Sequence, residues 1–127
     1  MKKLIALFAL IGITLTLLYA AEPVKAPQLS KAGHWKAYDA ALKKGLPKTA
    51  ITHLDPIIKL TLAQKQYDEA IKAIGKKISL EGNIQGNKPQ EKIRRLEAEI
   101  AKAPKEMVPV MDAILANWYW HYFQQNR

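Results

Sequence analysis

The chain has 127 residues, 49% of them hydrophobic and 24% charged, with a formal charge of +9 and no cysteine. That length suits one small domain, and the balance is that of a globular chain rather than a disordered one. The missing cysteine excludes disulfides, thiolate metal sites, cysteine nucleophiles and a lipid-modified cysteine anchor. The charge does not point to nucleic acid, because no run of four basic residues occurs and the lysines alternate with Asp and Glu along solvated faces.

Met1-Lys2-Lys3 is a short positive start, and Leu4 to Leu18 is an apolar run broken by Gly12, Thr14 and Thr16. Small residues and a proline follow in Ala20-Ala21-Glu22-Pro23. This is the order of a secretory signal peptide over residues 1–21, cleaved after Ala20 or Ala21. The alternative is an uncleaved N-terminal anchor, the chain's one contact with a membrane, since 18 apolar residues just reach across a bilayer. Either way the remainder is exported to the periplasm or cell envelope, and without Lys2 and Lys3 it carries 18 basic against 11 acidic residues. Residues 22–29, with Pro23 and Pro27, read as a linker, and residues 30–127 as the helical domain.

Ser30 is placed to cap a first helix from Lys31 to Lys44, with Trp35, Tyr38 and Leu42 on one face. Gly45 can take the left-handed conformation that ends it. Pro47 opens a second helix, where its missing N–H costs nothing. Ala50, Ile51, Leu54, Ile57, Ile58 and Leu62 form its apolar stripe, and Pro56 should kink it near Thr52 to Asp55 or restart it. A third helix is expected from Tyr67 to Leu80, buried through Tyr67, Ala70, Ile71, Ile74 and Ile78, with Gly75 allowing close packing. Residues 81–87, rich in Gly and Asn, read as a turn between hairpins. No strand precedes this segment and no Gly-Lys-Ser/Thr follows, so it is no phosphate loop.

Pro89 opens a fourth helix to about Lys102, with Ile93, Leu96 and Ile100 inward and Arg94 and Arg95 off that stripe. A fifth is expected from Pro104 to the end, kinked at Pro109, with Val108, Met111, Ile114, Leu115, Trp118 and Phe123 sharing a broad face. The fold class is therefore all-α, about five helices in repeat-like antiparallel hairpins.

No catalytic constellation can be assembled. His34, His53 and His121 stand at no metal-ligating spacing, and the tryptophans beside His34 and His121 suggest packing. Glu97 with Glu99, and Asp68 with Glu69, lie too close in sequence to face one another on a helix. Ser30 and Ser79 lack an elbow motif. The expectation is a chain without catalytic, cofactor or metal residues, and not an enzyme.

The most distinctive segment is Trp118-Tyr119-Trp120-His121-Tyr122-Phe123, five aromatics in six residues. A helix apolar nearly all round has to be covered on several sides, more than so short a chain can supply. Trp118, Tyr119, Trp120, Tyr122 and Phe123 are thus the candidate interface, ahead of carbohydrate or single-strand stacking. The expected cover is either a downstream part of the same polypeptide, of which these residues would be a truncated piece, or another protein.

Gln66-Tyr-Asp-Glu-Ala-Ile-Lys-Ala-Ile74 resembles the second helix of a tetratricopeptide repeat, although no second copy follows at a 34-residue period. A longer resemblance is carried by Lys44-Gly-Leu-Pro-Lys-Thr-Ala50, Ile78-Ser-Leu-Glu-Gly-Asn-Ile-Gln-Gly-Asn-Lys-Pro89, Leu96-Glu-Ala-Glu-Ile-Ala-Lys-Ala-Pro104 and Asn117-Trp-Tyr-Trp-His-Tyr-Phe-Gln-Gln-Asn-Arg127. In these the chain resembles the N-terminal region of large bacterial alpha-2-macroglobulin-like proteins. That resemblance implies an exported protease inhibitor in which a protease cuts a bait region, the molecule closes, and in many members a thioester captures the attacker. No Cys-Gly-Glu-Gln motif occurs here, so no functional residue carries over. The segment would be a helical preface for docking or spacing, meeting proteases only through the full-length protein. The alternative is a free-standing envelope scaffold of helical hairpins that binds a protein or peptide.

Overall fold

The computed structural model describes residues 28–127, which are all-α. The signal-peptide or anchor expectation, and most of the linker, lie outside the described residues. Five helices follow one another: α1 (Lys31–Lys43), α2 (Pro47–Ala63), α3 (Tyr67–Ile84), α4 (Pro89–Lys102) and α5 (Val108–Gln125). Each packs on the next through a short connection, the arrangement of successive helical hairpins. No helix among the described residues is long and apolar enough to cross a membrane.

The first two turns share one construction. At the end of α1, the N–H of Gly45 donates to Leu42 and that of Leu46 to Ala41, with Gly45 at φ +69°. At the end of α2, the N–H of Lys65 donates to Leu62 and that of Gln66 to Thr61, with Lys65 at φ +55°. Both are Schellman motifs, in which orphan carbonyls of the last turn are satisfied by a chain reversing in the left-handed region. The second sets a lysine where a glycine would be unstrained.

Small residues let the helices approach. Ala41 of α1, Ala50 of α2, and Ala70 and Ala73 of α3 are buried, and around them sit Tyr38, Leu54, Ile57, Ile74 and Ile78. One core cluster joins α1, α2 and α3 through Tyr38, Ala41, Ala50, Leu54, Ile57 and Ala73. A second joins α3, α4 and α5 through Ala70, Ile74, Ile78, Leu96, Met107 and Met111. Helix α3 contributes to both, with its stripe split between two faces. Thr61, fully buried in α2, returns its hydroxyl to the carbonyls of Ile57 (2.8 Å) and Ile58 (3.0 Å), so no buried side-chain polar atom of the described residues lacks a partner.

Polar contacts tie α1 to α3. Trp35 Nε1 donates to Glu69 Oε1 at 2.6 Å, and Lys31 Nζ donates to Glu69 Oε2 at 2.6 Å. Lys72 lies over the Trp35 ring at 5.3 Å and Lys76 over the Tyr38 ring at 5.4 Å. The hydrogen bonds from Lys31 and Trp35 hold the Glu69 carboxyl below the usual carboxylate range.

Several expectations are corrected. Helix α3 continues through Glu81 and Gly82 to Ile84, so the expected loop shrinks to residues 85–88. Gly82 is buried because the Lys92 stem of α4 crosses it, and a Cβ there would stand 2.3 Å from Lys92 Cε and 2.8 Å from its Cγ. Arg95 draws the same segment in by pairing with Glu81 and with Gln85 (2.6 Å). Gly75, expected at a close approach, has no atom of another helix within 4 Å of the point a Cβ would occupy. Helix α2 runs through Pro56 as one helix and does not restart there. Helix α5 begins at Val108, after a turn in which Met107 N–H donates to Pro104, and Pro109 falls in its first turn, where it kinks nothing. Leu42 is 37% exposed, since α1 meets the core through Tyr38 and Ala41.

Four outcomes follow for stability. Lys65→Gly should stabilise by about 0.5–1 kcal/mol and Gly45→Ala should destabilise by about 1 kcal/mol, because the left-handed conformation disfavours a Cβ. Both are read as shifts of the urea midpoint at constant slope. Leu54→Ala, fully buried in the first cluster, should cost about 2–5 kcal/mol in the same assay. Because the Glu69 carboxyl is lowered in the folded chain, its contribution is present above its unfolded pKa and lost as pH falls through the lower folded one. Stability should drop through that acid window, and Glu69→Gln should flatten the drop.

Candidate functional site

Helix α5 has two faces of different kinds. Met111, Leu115, Trp118 and Tyr122 recur at i, i+4, i+7 and i+11, and this stripe turns toward α3 and α4. Met111 is buried, and Leu115 and Trp118 pack partly buried against the second core cluster. Tyr122 is half-buried, and its hydroxyl accepts from Gln90 Nε2 at 2.9 Å. Trp120 and Phe123 are turned away from that stripe and are 59% and 58% exposed, and Tyr119, 46% exposed, stands on its flank beside α4.

The five expected interface residues therefore separate. Trp118 and Tyr122 belong to the packing between α5 and its neighbours, while Tyr119, Trp120 and Phe123 remain open. Phe123, expected to share the face of Trp118, stands on the other side, because five residues at 100° each carry it well past that stripe. The rings of Trp120 and Phe123 lie 6.4 Å apart at 32°, and the Arg127 guanidinium stands 5.7 Å from the Phe123 centroid. The Tyr119 hydroxyl donates to Glu97 Oε1 at 2.5 Å, which raises its pKa, because losing that proton would set two anions side by side. Val110, in the first turn of the helix, is 52% exposed.

A second surface is a shallow groove of about 410 Å³ between α1, α3 and α5. Its floor includes Tyr38, Ile71, Gly75, Ile114 and Trp118, and its cations are Lys72 and Lys76. Here the open space above Gly75 becomes intelligible: with no side chain, it leaves the middle of the groove clear. Sequence reasoning had no signal for this surface, which is assembled from three helices.

The histidines are placed differently from expectation. His34 of α1 does not pack on its neighbour Trp35 but faces His53 of α2, Nδ1 to Nδ1 at 3.2 Å. Nineteen residues separate them in sequence, so only the α1–α2 hairpin brings them together. His121 lies exposed beside a cleft of about 280 Å³ that also includes Trp118 and Tyr122. Among the described residues no three His, Cys, Asp or Glu side chains cluster as a metal cage. The acidic residues pair instead with cations, as Asp55 with Lys77 (2.6 Å) and Glu91 with Arg94 (2.7 Å).

No family model, curated protein or solved structure matches the chain.

The two faces of α5 should respond differently to truncation. Trp120→Ala with Phe123→Ala should lower binding of a hydrophobic dye while leaving the urea midpoint within about 0.5 kcal/mol, as for exposed positions. Met111→Ala should instead cost about 2–5 kcal/mol.

Proposed function

We propose that this chain is the non-catalytic N-terminal helical segment of an exported, alpha-2-macroglobulin-like protease inhibitor, where it docks or spaces the domains beside it. The family part of the reading rests on the four sequence blocks quoted above. The docking part rests on one observation: Tyr119, Trp120 and Phe123 are all exposed on a single helix whose other face is already packed. Aromatic side chains bury about 150–250 Å² each and dominate interface energetics. Three of them left open by a chain with well-formed cores elsewhere favour a surface that is covered by protein.

The groove between α1, α3 and α5 favours a second reading, a free-standing envelope scaffold of tetratricopeptide-like hairpins. There the partner would be a protein segment laid across the floor of Tyr38, Ile71 and Trp118 between Lys72 and Lys76.

The reading frame after Arg127 separates the two. Macroglobulin β-sandwich domains downstream support the first reading, and a stop codon directly after residue 127 supports the second. In a polypeptide extended through such domains, Trp120 and Phe123 should become protected. Trp120 fluorescence should then shift to the blue, and Trp120→Ala with Phe123→Ala should loosen the helical segment from its neighbour in limited proteolysis. An extended chain in which Trp120 stays as solvated as before would overturn the docking role.

A further inference from the structure

The contact between His34 and His53 has a geometry that packing alone does not require. Their Nδ1 atoms stand 3.2 Å apart while the ring centroids are 5.5 Å apart, so the two nitrogens point at each other almost along the line of centres. One ring must carry its proton on Nδ1 and donate to the lone pair of the other. Two imidazole nitrogens bound to one tetrahedral zinc, at about 2.0–2.1 Å each, stand about 3.3–3.4 Å apart. The hairpin therefore already holds the pair at the separation a shared cation needs, and a swing of each ring about its soft χ2 torsion turns the lone pairs inward.

We propose that His34 and His53 form an open, two-histidine site for an imidazole-preferring divalent cation of the zinc, nickel or copper kind. The ring whose Nδ1 carries the linking proton changes tautomer by exchange with solvent, giving up the Nδ1 proton and taking one on Nε2, so that both imidazoles stay neutral and the cation sits between two Nδ1 lone pairs. Both residues are half-buried, and a cleft of about 600 Å³ lined by His34, Asp55, Pro56 and Lys59 opens the His34 side of the pair to solvent. Among the described residues no third His, Cys, Asp or Glu joins the pair as a cluster. The remaining coordination positions are therefore taken by water, which makes the site exchangeable rather than a structural cage. Asp55, the acidic residue of the cleft, is engaged by Lys77 at 2.6 Å, and Lys59 is its other charged group. The site bridges the first turn of α1 and the middle of α2, so a bound cation staples the hairpin that begins the fold.

The test is a zinc titration of the whole chain, followed by calorimetry and by the imidazole NMR signals, with copper(II) and magnesium as comparisons. One saturable equivalent is expected, binding copper(II) more tightly than zinc and magnesium not at all, the order set by ligand softness and the divalent-metal series. The signals of His34 and His53 should shift and those of His121 should not. His34→Gln and His53→Gln should each weaken zinc binding at least about tenfold, the loss expected when one of two ligands goes. His121→Gln should bind as the unaltered chain does. Zinc should raise the melting temperature of the unaltered chain and not that of either site variant. If a site variant fails to fold, the NMR shifts of the unaltered chain decide alone. Absence of a saturable equivalent, zinc shifts confined to His121, or a folded site variant that binds zinc undiminished would overturn the site.

Discussion

Among the described residues, three of the four junctions between successive helices are closed by a hydrogen bond across the helix end, and this bond is what hands each helix to its neighbour at close range. Leu46 N–H reaches back to Ala41 and Gln66 N–H to Thr61, six residues to one, while the residue between turns left-handed. The motif satisfies carbonyls that would otherwise be orphaned, and it reverses the chain within three residues. With connections that short, α2 can lie nowhere but against α1, and α3 nowhere but against α2. Asn87 N–H repeats the bond to Gly82 at the end of α3, with Gly86 and Asn87 both at positive φ.

Given that constraint, the choice of small residues decides how close the helices come. Ala41, Ala50, Ala70 and Ala73 are all buried, and their lack of bulk lets Leu54, Ile57 and Ile74 fill the space between three axes. Gly82 does the same for α4, whose Lys92 stem occupies the volume a methyl would take. The charge of α1 is then locked to α3 rather than left in solvent, through Lys31, Trp35 and Glu69. Among the described residues, carboxylates serve as local partners for nearby cations, as in Glu69 with Lys31, Asp55 with Lys77, and Glu91 and Glu81 with arginines of α4.

The surfaces that such a stack leaves open lie between its helices and on α5. The hairpin geometry sets one row of helices around a groove floored by Tyr38, Ile71 and Trp118, and it leaves Tyr119, Trp120 and Phe123 exposed on α5. The same α1–α2 turn that starts the stack also brings His34 against His53. Three separate surfaces thus descend from one way of joining helices.

Periodicity and punctuation in the sequence were enough for the number of helices, the Ser30 cap, the glycine turn at Gly45 and most core positions, because a 3.6-residue repeat and a left-handed glycine are local properties of the chain. The aromatic run also marked α5 as the element with surplus apolar surface. Local rules could not say where α3 ended, because Gly82 and Asn83 discourage a helix by propensity while Lys92 and Arg95, supplied by α4, stabilise it there. Nor could they divide Trp118 and Tyr122 from Trp120 and Phe123, since which side of α5 is covered depends on where α3 and α4 lie. The histidine pair and the three-helix groove were out of reach for the same reason. Contacts between residues nineteen or more apart are created by packing angles, and those are decided only when the helices meet.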